Sequence, residues 1–302
     1  VRTARRGPPV ALEATPAGAG EGEAKPLAAK RERGGLGRQV EAWEFEAATA
    51  FLAERHASAL CWVGGCGEKY AAEDRAAVLN SLVRTILSQN TTDITSQRAF
   101  NNMRAEFGAA KDGSASVDYV AVRDCAVERL AASVRVGGLA DIKAGRIQVI
   151  LRTLTEEQHG SCEVGASAPT LEHLRLLPDE EIKQYLSRFK GVGPKTVACV
   201  LMFALGRHEF PVDTHVWQLA QSLGWVSGKA GREQTYDHLN AIVPGHLKLD
   251  LHVLLVEHGK RDGHAATLLK KAIAAAKPGG ECKPGCKPES KPVVNVKMEA
   301  VI

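Results

Sequence analysis

One twelve-residue stretch constrains this chain more than any other: FKGVGPKTVACV, residues 189–200. Upstream, residues 179–189 space Ile182, Tyr185, Leu186 and Phe189 as one apolar helical face. Lys190-Gly191-Val192-Gly193 then interrupts the pattern, and Pro194 opens a second apolar run. Proline suits the first turn of a helix. The motif is therefore helix, two-glycine hairpin, helix over residues 179–205. Glycines tolerate positive φ and let the backbone approach a ligand. The N–H groups of the turn and of the new helix then point outward as an anion site. Gly191, Val192, Gly193 and Thr196 are the expected contacts, with Val192 tucked between the helices. The plain structural alternative is an ordinary αα-hairpin with a glycine turn. A nucleotide-binding P-loop does not fit. It needs G-x-x-x-x-G-K-S/T after a strand, whereas here Pro194 separates Gly193 from Lys195 and a helix precedes.

The remaining sequence is in keeping with an all-α protein. Alanine is abundant, aromatic residues make up 5%, and β-branched runs are short. The length of 302 residues allows one large domain or two ordinary ones. No apolar stretch approaches the roughly 20 residues that span a bilayer, so no membrane partner is expected. Seven cysteines are scattered along the chain. That odd set does not form a disulfide framework and suits a reducing compartment. The net charge of +4 divides into +4 over residues 1–40, +5 over residues 259–302 and −5 between them. Basic arms around an acidic centre suit a polyanion partner, or are simply solvated tails.

Residues 1–40 and 277–302 lack periodicity and are expected to be disordered basic arms. Lys30-Arg31-Glu32-Arg33 is a nuclear-localisation candidate. Arg2, Arg5 and Arg6 leave a chloroplast or mitochondrial transit peptide open, and the nucleus is the expected compartment. Between the arms the spacing predicts helices over 41–56, 73–88, about 93–107, 118–133, 140–157, 170–177, 179–189, 194–205, 214–223, 232–242 and 248–258. Thr91, Thr92 and Asp93 offer N-caps for the third, and Gly259 is placed to end the last.

Three motifs carry a resemblance. The hairpin continues as GVGPKTVACVLMFALGRHEFPVDTHV, LVRTILSQNTTD lies at 82–93, and GGLADIKAGRI at 137–147. Together, and in this order, they resemble the helix-hairpin-helix DNA glycosylases of the endonuclease III superfamily. FPVDTHV and LGW further resemble the plant 5-methylcytosine glycosylases and plant endonuclease III-like proteins. The resemblance covers about residues 78–260. It implies an all-α, bilobed helix-hairpin-helix DNA glycosylase fold. One lobe is a helical barrel over 70–207 that carries the hairpin. The other is built from 41–69 plus 208–276.

The resemblance also assigns roles. Lys195 is the implied nucleophile. A lysine in a first helical turn opposes the macrodipole, and that placement with partial burial predicts a lowered pKa. Asp213 precedes a helix, where it can act as an N-cap. The resemblance adds stabilisation of an oxocarbenium-like sugar. Such enzymes flip a base out of the duplex and fill the gap. Gln89 and Leu139 are the implied fillers, although Leu139 would equally serve as a core leucine. Lys143 is an implied phosphate contact or simply a solvated lysine. His215, Trp217 and Cys199 are expected to pack.

Many endonuclease III relatives carry a 4Fe–4S cluster on four cysteines after a His-Gly pair. His258-Gly259 is present here, but only Cys282 and Cys286 follow. Two thiolates do not complete such a cluster. No metal and no other cofactor is expected. The implied function is base-excision repair by a DNA glycosylase with AP lyase activity, acting on double-stranded DNA through a flipped damaged nucleotide. Oxidised pyrimidines are the implied lesion class, the resemblance around Asp213 leaves 5-methylcytosine open, and a monomer is expected. The alternative is a non-catalytic, structure-selective DNA-binding relative.

Overall fold

The computed structural model describes residues 37–64, 77–111, 113, 115–159, 168–261 and 265–278. All of them belong to one compact unit. Most of both basic arms, the Lys30–Arg33 cluster, Cys282 and Cys286 lie outside the described residues. The described residues form thirteen α-helices and no strand.

The chain enters through α1 (Ala42–Arg55) and α2 (Ala57–Gly64), crosses to a second lobe, and later returns. That second lobe holds α3 (Ala77–Ser88), α4 (Asp93–Phe107), α5 (Tyr119–Asp124), α6 (Val127–Ser133), α7 (Ala140–His159), α8 (Asp179–Ser187) and α9 (Pro194–Phe203). Its apolar faces meet in one core that includes Leu79, Leu82, Ile86, Leu130, Ile147, Ile182, Val192 and Val200. The chain then runs extended to Asp213 and rejoins α1 and α2 through α10 (Thr214–Leu223), α11 (Arg232–Ile242), α12 (Lys248–Arg261) and α13 (Ala265–Ala275). Phe45, Leu52, Phe210, Trp225, Leu254 and Leu269 belong to this other core. The molecule is thus all-α and bilobed.

Local chemistry sets many helix ends. Thr92 Oγ1 accepts the Thr95 N–H at the start of α4, and Asp213 Oδ1 accepts the Val216 N–H at 2.8 Å at the start of α10. Gly224, left-handed at φ 73°, ends α10.

Four expectations about the elements need correction. Residues 118–133 form two helices, because Cys125 and Ala126 are extended. Gln148 Nε2 on α7 donates to the Val122 and Cys125 carbonyls that the break leaves open, at 3.1 and 2.8 Å. Residues 172–176 form a short 3₁₀ segment rather than an α-helix. Gly259 does not terminate α12, which runs on to Arg261. It is a contact point instead: a Cβ there would stand 2.7 Å from His215 Cβ. Finally, α2 and α13 are helices that the sequence pattern does not announce.

Candidate active site and nucleic-acid interface

The hairpin is formed as its sequence demands, with one refinement. Gly191 has φ +88°, which favours glycine. Gly193 is extended at φ −97°, ψ 179° and needs no such freedom. The Val192 N–H donates to the Phe189 carbonyl at 3.0 Å. Val192 is 5% exposed in the first core and its N–H is already committed within the turn, so it packs and does not offer the ligand contact expected of it. Pro194 then starts α9, and Lys195 sits in its first turn on the cleft wall.

Lys195 and Asp213 are brought together. Both line one cleft of about 1520 Å³ between the lobes. Gln89, Gly191, Gly193 and Thr196 line the same cleft. An ion pair between Lys260 on α12 and Asp93 on α4 spans it. The Asp213 carboxylate is fixed through Oδ1 by its cap, as an N-cap requires.

The electrostatics differ from expectation. The Lys195 ammonium is held above its ordinary value, not below it. The largest influence is the Cys199 sulfur one turn along α9, with burial opposing it, followed by the Asp213 and Asp93 carboxylates. Burial also pushes the Cys199 thiol up, so near neutral pH that sulfur is uncharged. The Asp213 and Asp93 carboxylates both favour the protonated lysine. Free Lys195 must therefore lose a proton before it can act as a nucleophile.

Three side chains depart from their expected placement. Lys143 is 1% exposed, and its Nζ donates to the Leu87 and Gly137 carbonyls, both at 2.8 Å. Burial lowers its pKa. It is not available to a phosphate. It ties the end of α3, just before Gln89, to the turn just before Leu139. Thr196 is 5% exposed and its hydroxyl accepts from Gln89 Nε2 at 3.3 Å. Leu139 is not a core leucine: it is 51% exposed at φ 51°. It lies outside the cleft lining, while Gln89 Nε2 is bound to the Gly191 carbonyl at 2.9 Å.

His252 on α12 was not predicted from sequence. It is buried on the cleft wall with its ring centroid 5.9 Å from those of both Phe203 and Phe210. Burial drives its pKa down to about 4 against the pull of Asp213, so the imidazole is neutral near pH 7. Its Nδ1 has no hydrogen-bond partner among the described residues. Cys199 packs as expected but also lines the cleft. Trp217 packs as expected too, donating Nε1–H to the Ala230 carbonyl at 2.8 Å.

Comparison with known proteins places this geometry. A protein of Arabidopsis thaliana named as a DNA glycosylase, At3g47830, is 46% identical over 187 residues, covering 62% of this chain and 58% of that protein. The Arabidopsis DNA glycosylase/AP lyase ROS1 is 36% identical over 129 residues, covering 43% of this chain and 9% of ROS1. The chain thus spans less than two thirds of these relatives. Endonuclease III in a non-covalent complex with DNA has the same fold. The TM-score is 0.52 at 20% identity, covering 74% of this chain and 87% of that one. Residues 83–245, more than half of the chain, match the model of the HhH-GPD superfamily base excision DNA repair proteins. The cleft, the hairpin and these matches lead to one assignment: the chain belongs to the HhH-GPD superfamily.

Proposed function

We propose that this chain is a bifunctional DNA glycosylase and AP lyase that removes an oxidised pyrimidine from double-stranded DNA. The observation that carries the reading is the pairing of Lys195 with Asp213 on the wall of one cleft, beside the hairpin. Relatives named as DNA glycosylases, one of them also as an AP lyase, support it.

The chemistry follows from the two side chains. Lys195 first gives up a proton, and Asp213 is the carboxylate placed to receive it. The free amine attacks C1′ of the flipped nucleotide. The N–C1′ bond of the base breaks, its electron pair leaves with the base, and the base takes the proton that Asp213 had accepted, which restores the carboxylate. Asp213 stabilises the positive sugar through this step, at the one place where charge develops. The ring then opens to a protonated Schiff base on Lys195. Loss of a C2′ proton expels the 3′ phosphate by β-elimination, and water releases the product from the lysine.

Borohydride reduces such a Schiff base to a stable covalent adduct. Trapping is therefore expected on duplexes that carry an abasic site or thymine glycol, with 5-methylcytosine and 8-oxoguanine duplexes as comparisons. Lys195→Gln should abolish it. Binding without any trapped adduct would point instead to a non-catalytic DNA-binding relative.

We further propose that the chain holds no 4Fe–4S cluster. Among the described residues no three His, Cys, Asp or Glu side chains are grouped to hold a metal. Soon after His258-Gly259, the chain forms α13, whose Leu269 and Ile273 are buried in the second core. An apolar helix stands where a cysteine-bearing loop would have to coordinate iron. Elemental analysis of the purified protein should find no stoichiometric iron, and α13 takes on the closing of that lobe.

A further inference from the structure

Arg146 on α7 lies against the hairpin. A Cβ on Gly191 would meet Arg146 Nε at 2.6 Å and its Cδ and Cζ at 2.7 Å. The missing side chain of Gly191 thus makes room for a guanidinium as well as for the positive φ. Arg146 is half-buried, and Nη1 donates to Gln89 Oε1 at 3.2 Å. Gln89 in turn donates to the Gly191 carbonyl and to Thr196 Oγ1. Arginine, glutamine and hairpin form one closed clasp at the edge of the cleft.

This clasp is weakly held at one point. A guanidinium carries five donors in a fixed fork that matches phosphate oxygens. Here its bond to Gln89 is long for N–H···O and goes to a neutral amide. Charge-assisted bonds to phosphate are roughly twice as strong as neutral ones. An anion that reaches the hairpin will therefore win the guanidinium from the glutamine. We propose that Arg146 is a phosphodiester contact of bound duplex DNA, and that its guanidinium exchanges the Gln89 amide oxygen for a phosphate oxygen. The exchange unlocks Gln89 at the moment when DNA is in place for it. Arg146 acts on Gln89 as a positioning residue, and the inference rests on the proposed function for its ligand.

The test is the salt dependence of binding of the full chain to a duplex with a reduced abasic-site analogue. Each phosphate contact on B-DNA contributes about 0.9 to the slope of log Kobs against log salt. Arg146→Gln and Arg146→Met should each lower that slope by about one contact, and Arg146→Lys should keep it. Having two charge-removing variants leaves the measurement open if one fails to fold. The effects of Arg146→Gln and Gln89→Ala on Kd should also fail to multiply, by about threefold or more. A brace without a phosphate role would lower thermal stability and leave the slope unchanged, and that result overturns the proposal. Effects on Kd that simply multiply would overturn the exchange. A wild type that binds no duplex DNA would overturn the proposed function itself, whatever the variants do.

Discussion

At the scale of single residues, Asp213 serves two ends that a pair of substitutions can separate. Its Oδ1 caps α10, and its charge helps keep Lys195 protonated. Asp213→Asn keeps a capping oxygen and loses the charge, whereas Asp213→Ala loses both. The alanine variant should be less stable by about 1 kcal/mol and the asparagine variant nearly unchanged. Base excision should fall in both by about 10²–10⁴-fold, the range of a lost proton-transferring group. Urea denaturation and single-turnover excision measure the two effects independently. A capping role alone would leave the asparagine variant active.

At the scale of elements, what could be read from the sequence was what neighbours in the chain decide. The starts of α4 and α10 follow from Thr92 and Asp213, whose side chains reach only a few residues forward. The hairpin follows from Gly191 and Pro194, and Val192 packs where an apolar residue between two helices must. The misreadings all have distant causes. The break after α5 is satisfied by Gln148 from α7. Lys143 looks like a surface lysine until the Leu87 and Gly137 carbonyls close around it. Nothing near His252 signals that α12 will carry it to the cleft. Gly259 has the right residue type for a helix end, yet it is chosen by His215 on another helix. Gly259→Ala should accordingly destabilise the protein by about 1–3 kcal/mol, as overpacking does. An alanine at an ordinary helical glycine would instead stabilise. A lowered urea midpoint with an unchanged m-value would identify the clash.

At the scale of the whole molecule, the two lobes are joined through Glu209 in the extended crossing segment. Its carboxylate accepts from Tyr236 on α11 at 2.6 Å and pairs with Lys183 on α8 at 2.7 Å. It is 6% exposed. Burial, then the Glu209 bond, raises the Tyr236 hydroxyl above its ordinary 10.0. Burial works against the Lys183 ammonium, but its bonds to Glu209 and Glu180 outweigh that and hold it above its ordinary 10.5. Both groups are raised on folding, so their contribution is intact below about pH 10 and is lost as the pH climbs through the folded values. Glu209→Gln should cost about 1–3 kcal/mol near neutral pH. It should also flatten the alkaline limb of a stability–pH profile, because the two partners return toward their ordinary values. A parallel alkaline limb in wild type and variant would remove Glu209 from that role.

The interrupted path of the chain also sets the order in which the protein is born. α1 is synthesised before α12 and α13, against which it packs, and they follow roughly 190 residues later. At about 5–20 residues per second, Phe45 and Leu52 wait roughly ten to forty seconds for their core. The hairpin lobe has no such delay, since its helices are consecutive. Lys195 is thus mounted on a finished scaffold before Asp213 has one. The cleft cannot exist until α10 and α12, which bring His215 and Lys260 to its wall, dock beside that scaffold.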